Sequence, residues 1–177
     1  MTNLTSTRLA TIVSRSFGLD KDGKTRLHRV YRNFVTKGLV ESTLDENDDR
    51  GTMLLDLENA AVAVLLQPMA DMAVDARGVR EVSERLRAHD SLQGKSSIAR
   101  LLDAARDGRE AKLIVSVNWY AGTGQIERST RVEIEGETLT GDAAQIVADW
   151  KEAMIENLAT LEIPATRLLV PLLAAVK

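Results

Sequence analysis

Basic side chains crowd one short stretch of the chain. Arg26, Arg29 and Arg32 stand between Lys24 and Lys37, with Thr25, His28 and Asn33 among them. A guanidinium can fork onto O6 and N7 of guanine, and an asparagine amide can pair with adenine in the same way. Thr25, Arg26, His28 and Arg29, with Lys24 just before them, lead the stretch and are candidates for contact with base edges. Arg32, Asn33 and Lys37 follow and suit phosphate oxygens, which fix register without reading sequence. Arg50, after an acidic run, is a further candidate for a minor groove or a phosphate.

Other chemistry is sparse. The two histidines, His28 and His89, lie in different segments, and no nucleophile, base and acid set is visible. No catalytic residue is assigned, and the chain is not expected to be an enzyme. AGTGQ at 121–125 has the glycines of a phosphate loop but no Lys-Ser/Thr after them, and it joins two strand-like segments. The acidic run 45–49 could attract a hard cation, but it lacks the central glycine and distal glutamate of an EF-hand loop. The better reading is a solvated turn, so no metal and no cofactor are expected. The chain contains no cysteine, which excludes disulfides, thiolate metal sites and cysteine catalysis. No apolar run approaches the roughly 18 residues of a membrane helix. No signal peptide is apparent, and a cytoplasmic protein is expected.

Charge is distributed unevenly. Residues 1–40 carry eight basic and two acidic side chains, a balance of +6, so the remainder of a chain of net charge −3 carries −9. Such asymmetry suits a basic docking surface on an acidic body. Aromatics make up only 3% of the 177 residues, so the core must be built from Leu, Val, Ile, Ala and Met.

The elements that must position the basic residues follow from periodicity. Leu9, Ile12, Val13 and Phe17 mark a helix over 4–17, ended by Gly18. GLDKDG (18–23) is a turn. Leu27, Val30, Tyr31 and Phe34 give the basic segment an apolar face and a helix over 25–37, capped by Thr25 and stopped by Gly38. Strand-like segments at 39–44 and 52–57 flank the acidic turn. Residues 58–74 are apolar and alanine-rich, a buried helix that Pro68 should bend or break. An amphipathic helix over 75–89 and a linker at 91–94 close this half.

The second half begins with a short helix capped by Ser96 or Ser97 and ended by Gly108. Alternation over 112–120 and 126–135 predicts a hairpin turning at 121–124. A longer helix is expected over 142–161, with Ile146, Val147, Trp150, Met154, Leu158 and Leu161 as its stripe. An apolar segment, 164–177, follows with Pro171 inside it. It either completes the core of its own chain or meets a second copy.

Helix, basic helix, hairpin and two further helices is the order of a winged helix. The run resembles the DNA-binding domain of MerR-type regulators, where the second helix ends in an aromatic-containing segment followed by Gly-Leu; YRNFVTKGLV (31–40) matches. The resemblance places the family's wing arginine on Arg50 and its next two helices on 58–74 and 75–89. The first turn is longer here, and the family's long coiled coil is missing. DENDDRGTMLLDL also resembles the wing of MarR-type regulators, but that family has three helices before the wing and two fit here.

The expectation is an α+β protein. Residues 1–90 would form a winged helix-turn-helix, and residues 95–177 a small α/β domain with an antiparallel hairpin packed on helices. Its function would be sequence-specific binding of double-stranded DNA in transcriptional control. The C-terminal part would serve homodimerisation or the sensing of a small-molecule or protein effector. The alternative is a protein-interaction module whose basic helix meets an acidic protein partner.

Overall fold

The computed structural model describes residues 3–45, 51–90, 94–120, 124–137 and 155–176. The order begins β1 (Leu4–Thr5), α1 (Ser6–Ser16), α2 (Lys21–Thr36), β2 (Thr43–Leu44), β3 (Met53–Leu55), α3 (Leu57–Asp71) and α4 (Ala76–Arg87). It continues with β4 (His89–Asp90), β5 (Lys95–Ser96), α5 (Ser97–Arg106), β6 (Ala111–Tyr120), β7 (Gln125–Ile134), β8 (Ile155–Pro164) and α6 (Ala165–Ala175). The chain is α+β, and its strands pair antiparallel.

Local chemistry sets the helix ends. Thr5 caps α1 by accepting from the Arg8 N–H at 3.1 Å. α2 starts one turn earlier than expected. The Asp20 carboxylate accepts from the Gly23 N–H at 2.8 Å, so 21–23 are helical rather than a turn. Asp is a strong N-cap, and the glycine it admits into the first turn costs only about 1 kcal/mol. Thr25 is therefore not the cap: its hydroxyl donates to the Lys21 carbonyl at 2.9 Å. At the other end, Leu39 N–H reaches Phe34 O at 2.8 Å and Gly38 N–H reaches Val35 O at 3.0 Å, with Gly38 at φ 62°. That is a Schellman stop. α3 ends by the same pattern, with Val74 N–H on Met69 O and Ala73 N–H on Ala70 O. Here Ala73, not glycine, takes the left-handed position at φ 57°.

β2 and β3 form the hairpin expected around the acidic turn, with Thr43 opposite Leu54 and Leu44 opposite Met53. Residues 46–50, the turn and Arg50, lie outside the described residues. Leu4 and Thr5, expected to begin the first helix, instead add a third strand to β3, in the order β1-β3-β2. α3 is buried from Asn59 to Leu66 and again at Met69, so its lack of an apolar stripe reflects burial on all sides. Pro68 does not end it, and the helix continues to Asp71.

α5 starts at its Ser96 cap, which accepts from Ala99 N–H at 3.2 Å. β6 and β7 make the expected hairpin, in register from Ala111–Ile134 to Tyr120–Gln125. Residues 155–161 overturn an expectation. They belong to strand β8, paired with β6, and not to a helix running to 161. Ala159, Leu161 and Ile163 alternate with Thr160 and Glu162, the period of a strand, and Leu161 and Ile163 turn inward while Thr160 and Glu162 stay exposed. Residues 142–154 of that expected helix lie outside the described residues. The hairpin lies against α4, α5 and α6.

α6 runs through Pro171 without being split. Its Ala165, Leu169 and Leu172 are fully buried in one cluster that also holds Leu4, Leu9, Tyr31, Leu65, Leu101 and Leu113. The expected segments 1–90 and 95–177 therefore share a core. Among the described residues, no helix is long and apolar enough to cross a membrane.

Candidate nucleic-acid interface

α2 is seated by its apolar face. Leu27, Tyr31 and Phe34 are buried, and the Tyr31 and Phe34 rings meet at 6.5 Å between centroids with a 53° tilt. The Tyr31 hydroxyl is buried and has no hydrogen-bond partner among the described residues. Burial, and then the negative charge of Asp71, push its pKa well above the usual tyrosine value.

The turn after α2 is held by α4. Arg80 donates to the Lys37 carbonyl at 2.9 Å, the Ser83 hydroxyl donates to the Leu39 carbonyl, and Arg87 pairs with Glu41. Asn59 of α3 accepts from the Glu41 N–H at 3.0 Å. α3 and α4 thus fix where α2 ends and the hairpin begins.

The expected site residues separate into three sets. Thr25, Arg29 and Arg32 are exposed and, with Thr36, lie opposite the buried stripe. Arg26, Asn33 and Lys37 lie on the flank facing α3 and α4. There Arg26 is ion-paired with Asp71, which also accepts from Gln67. His28 turns the other way, half-buried, and shares a 3.2 Å hydrogen bond with the Thr7 hydroxyl of α1. His28 therefore links two helices, and its position is not an outward one. Lys24 is half-buried at the edge of the apolar face. The structure does not describe Arg50.

The sequence-based set omits two side chains near this surface. Lys21 lies in the first turn of α2 once Asp20 is the cap, a start signalled by an Asp three residues before Gly23. Arg8 is exposed one residue from Thr7, on the helix that touches His28. Among the described residues, Lys21, Lys24, Arg29 and Arg32 have no ion-pair partner. α2 carries five basic residues against Asp22 alone. The outward surface is thus a cationic helix face on a braced scaffold, suited to a polyanion.

No protein-family model matches the chain, and no curated protein matches it.

Proposed function

We propose that this chain is a sequence-specific DNA-binding transcriptional regulator, with residues 4–87 acting as a winged helix and α2 as the element that enters the major groove. The observation that carries this reading is the outward stripe Thr25, Arg29, Arg32 and Thr36, with Lys21 at its leading end, on a helix braced from behind. The β2–β3 hairpin after the α1–α2 pair, joined by β1 in the order β1-β3-β2, supports it, because a hairpin that follows such a helix can reach the adjoining backbone or minor groove. α1 would lie across the backbone, with Arg8 near phosphates. The C-terminal part would supply dimerisation or effector sensing, and catalysis has no role in this reading.

The test is fluorescence anisotropy on a random duplex, titrated with salt, followed by selection of bound fragments from a random pool. Affinity should fall linearly in log–log form with salt, by about 0.9 per phosphate contact, and selection should enrich a motif. Lack of duplex binding at low salt, with binding to acidic polypeptide instead, would favour the protein-interaction alternative.

A further inference from the structure

Among the described residues, the order β7-β6-β8 leaves β7 at a sheet edge. β7 is ten residues long and pairs with β6 without irregularity, whereas the pairing of β8 is shifted between Val117 and Asn118. A long regular edge offers its free N–H and C=O groups to another strand. Neither proline nor lysine, the residues that usually blunt such edges, occurs in QIERSTRVEI. The one inward charge, Arg128, is drawn onto α4 by Asp75 at 3.4 Å and Glu81 at 3.3 Å, clear of the lateral edge. Ile126 is left 64% exposed.

We propose that the β7 edge pairs antiparallel with β7 of a second copy of this chain, about a two-fold axis through Ser129, to make one continuous six-stranded sheet. The occupant is identified by charge. A two-fold axis keeps inner faces with inner faces, so only registers pairing residues of like parity are allowed. Centred on Ser129, Glu127 stands opposite Arg131 of the other copy, and Ile126 opposite Val132, each pair occurring twice. Shifting the centre to Thr130 sets Glu127 against Glu133. Centring on Arg128 or Arg131 sets arginine against arginine, and centring on Glu127 sets glutamate against glutamate. The Ser129 register alone, among those centred from Glu127 to Arg131, matches opposite charges and avoids like ones. Glu127 has no ion-pair partner within its own chain among the described residues, and Arg131, also an exposed side chain, points to the same side of the sheet, 2.9 Å from Glu133. The contact does not depend on DNA binding.

Light scattering of the intact protein at tens of micromolar tests this. The wild type should show twice the 19.4 kDa chain mass. Glu127→Arg and Arg131→Glu should each weaken the dimer by about tenfold or more, because each creates two like-charge cross-strand pairs. The double variant restores both opposite-charge pairs and should restore the dimer. Ser129→Cys adds the chain's sole thiol, and directly opposed cross-strand positions lie within disulfide reach. Mild oxidation of that variant should give a covalent dimer. A monomeric wild type, a dimer indifferent to both single reversals, a double variant as dissociated as the singles, or no cross-link in Ser129→Cys would each overturn the proposal.

Discussion

Removing Arg29 and Arg32 together is the sharpest probe of the proposed interface. Both side chains are exposed and unpaired among the described residues, so Arg29→Ala with Arg32→Ala should leave the fold intact. If the four unpaired cations of α2, at 21, 24, 29 and 32, each neutralise one phosphate, the log–log salt slope should be about −3.6. A fourfold rise in salt then weakens binding by roughly 150-fold. The double variant should retain a slope of about −1.8 and lose only about 12-fold over the same range. Arg26→Ala should change the slope less, because Arg26 is already held by Asp71, whereas Asp71→Asn should steepen it by freeing that guanidinium. Anisotropy on a fixed duplex at several salt concentrations reads all four proteins. An unchanged slope in the double variant, with the thermal melt unchanged, would refute the assignment of α2 as the DNA-facing helix.

Three further perturbations test the scaffold. Tyr31→Phe keeps the ring contact with Phe34 and deletes a buried hydroxyl that has no partner among the described residues, so urea denaturation should show stability unchanged or raised by about 1 kcal/mol. Because the folded-state pKa of Tyr31 is raised, wild-type stability should fall as pH rises above about 10, and the variant should lack that component. Ala73→Gly relieves a left-handed alanine and should stabilise by about 1 kcal/mol, measured as a shift in urea midpoint. Burial raises the Glu137 pKa, but hydrogen bonds and charge from Arg100 and Arg109 outweigh it and hold the carboxyl below the usual range. Its stabilisation is present above about pH 4.5 and lost as pH falls through the lowered value, so Glu137→Gln should flatten the acid limb of the stability profile.

Periodicity in the sequence located α1, α2, α4, α5 and the β6–β7 hairpin to within a few residues, because each buries one stripe or one face. It also located the exposed side of α2, since Leu27, Tyr31 and Phe34 define its opposite. It did not give pairing beyond the two hairpins. Leu4 and Thr5 hold too little pattern to signal a strand, and they become one only because β3 offers an open edge. Residues 155–161 carry apolar residues at spacings that suit either state, and the central strand β6 decides between them. Nor could spacing separate Arg26 from Arg29. That distinction depends on Asp71, which is 45 residues away in sequence and reaches Arg26 only through the packing of α3 on α2.

The shared core has a functional consequence. α6 packs on α1 and α3, while α4 touches both the turn after α2 and the β7 strand through Arg128. A proposed reading helix and a proposed dimer edge are therefore joined by one element. Arg80 grips Lys37 O at one surface of α4, and Glu81, its neighbour, grips Arg128 at the other. A second copy docked on β7 would fix α4 and, through it, the exit of α2. This coupling requires no hinge between the halves, because Leu169 and Leu172 of α6 are buried in the same cluster as Leu9 of α1 and Leu65 of α3. Deleting 164–177 should accordingly unfold the chain, since each such leucine lost from a packed core costs about 2–5 kcal/mol. A folded, monomeric truncation would instead make α6 the dimer surface and leave β7 a bare edge.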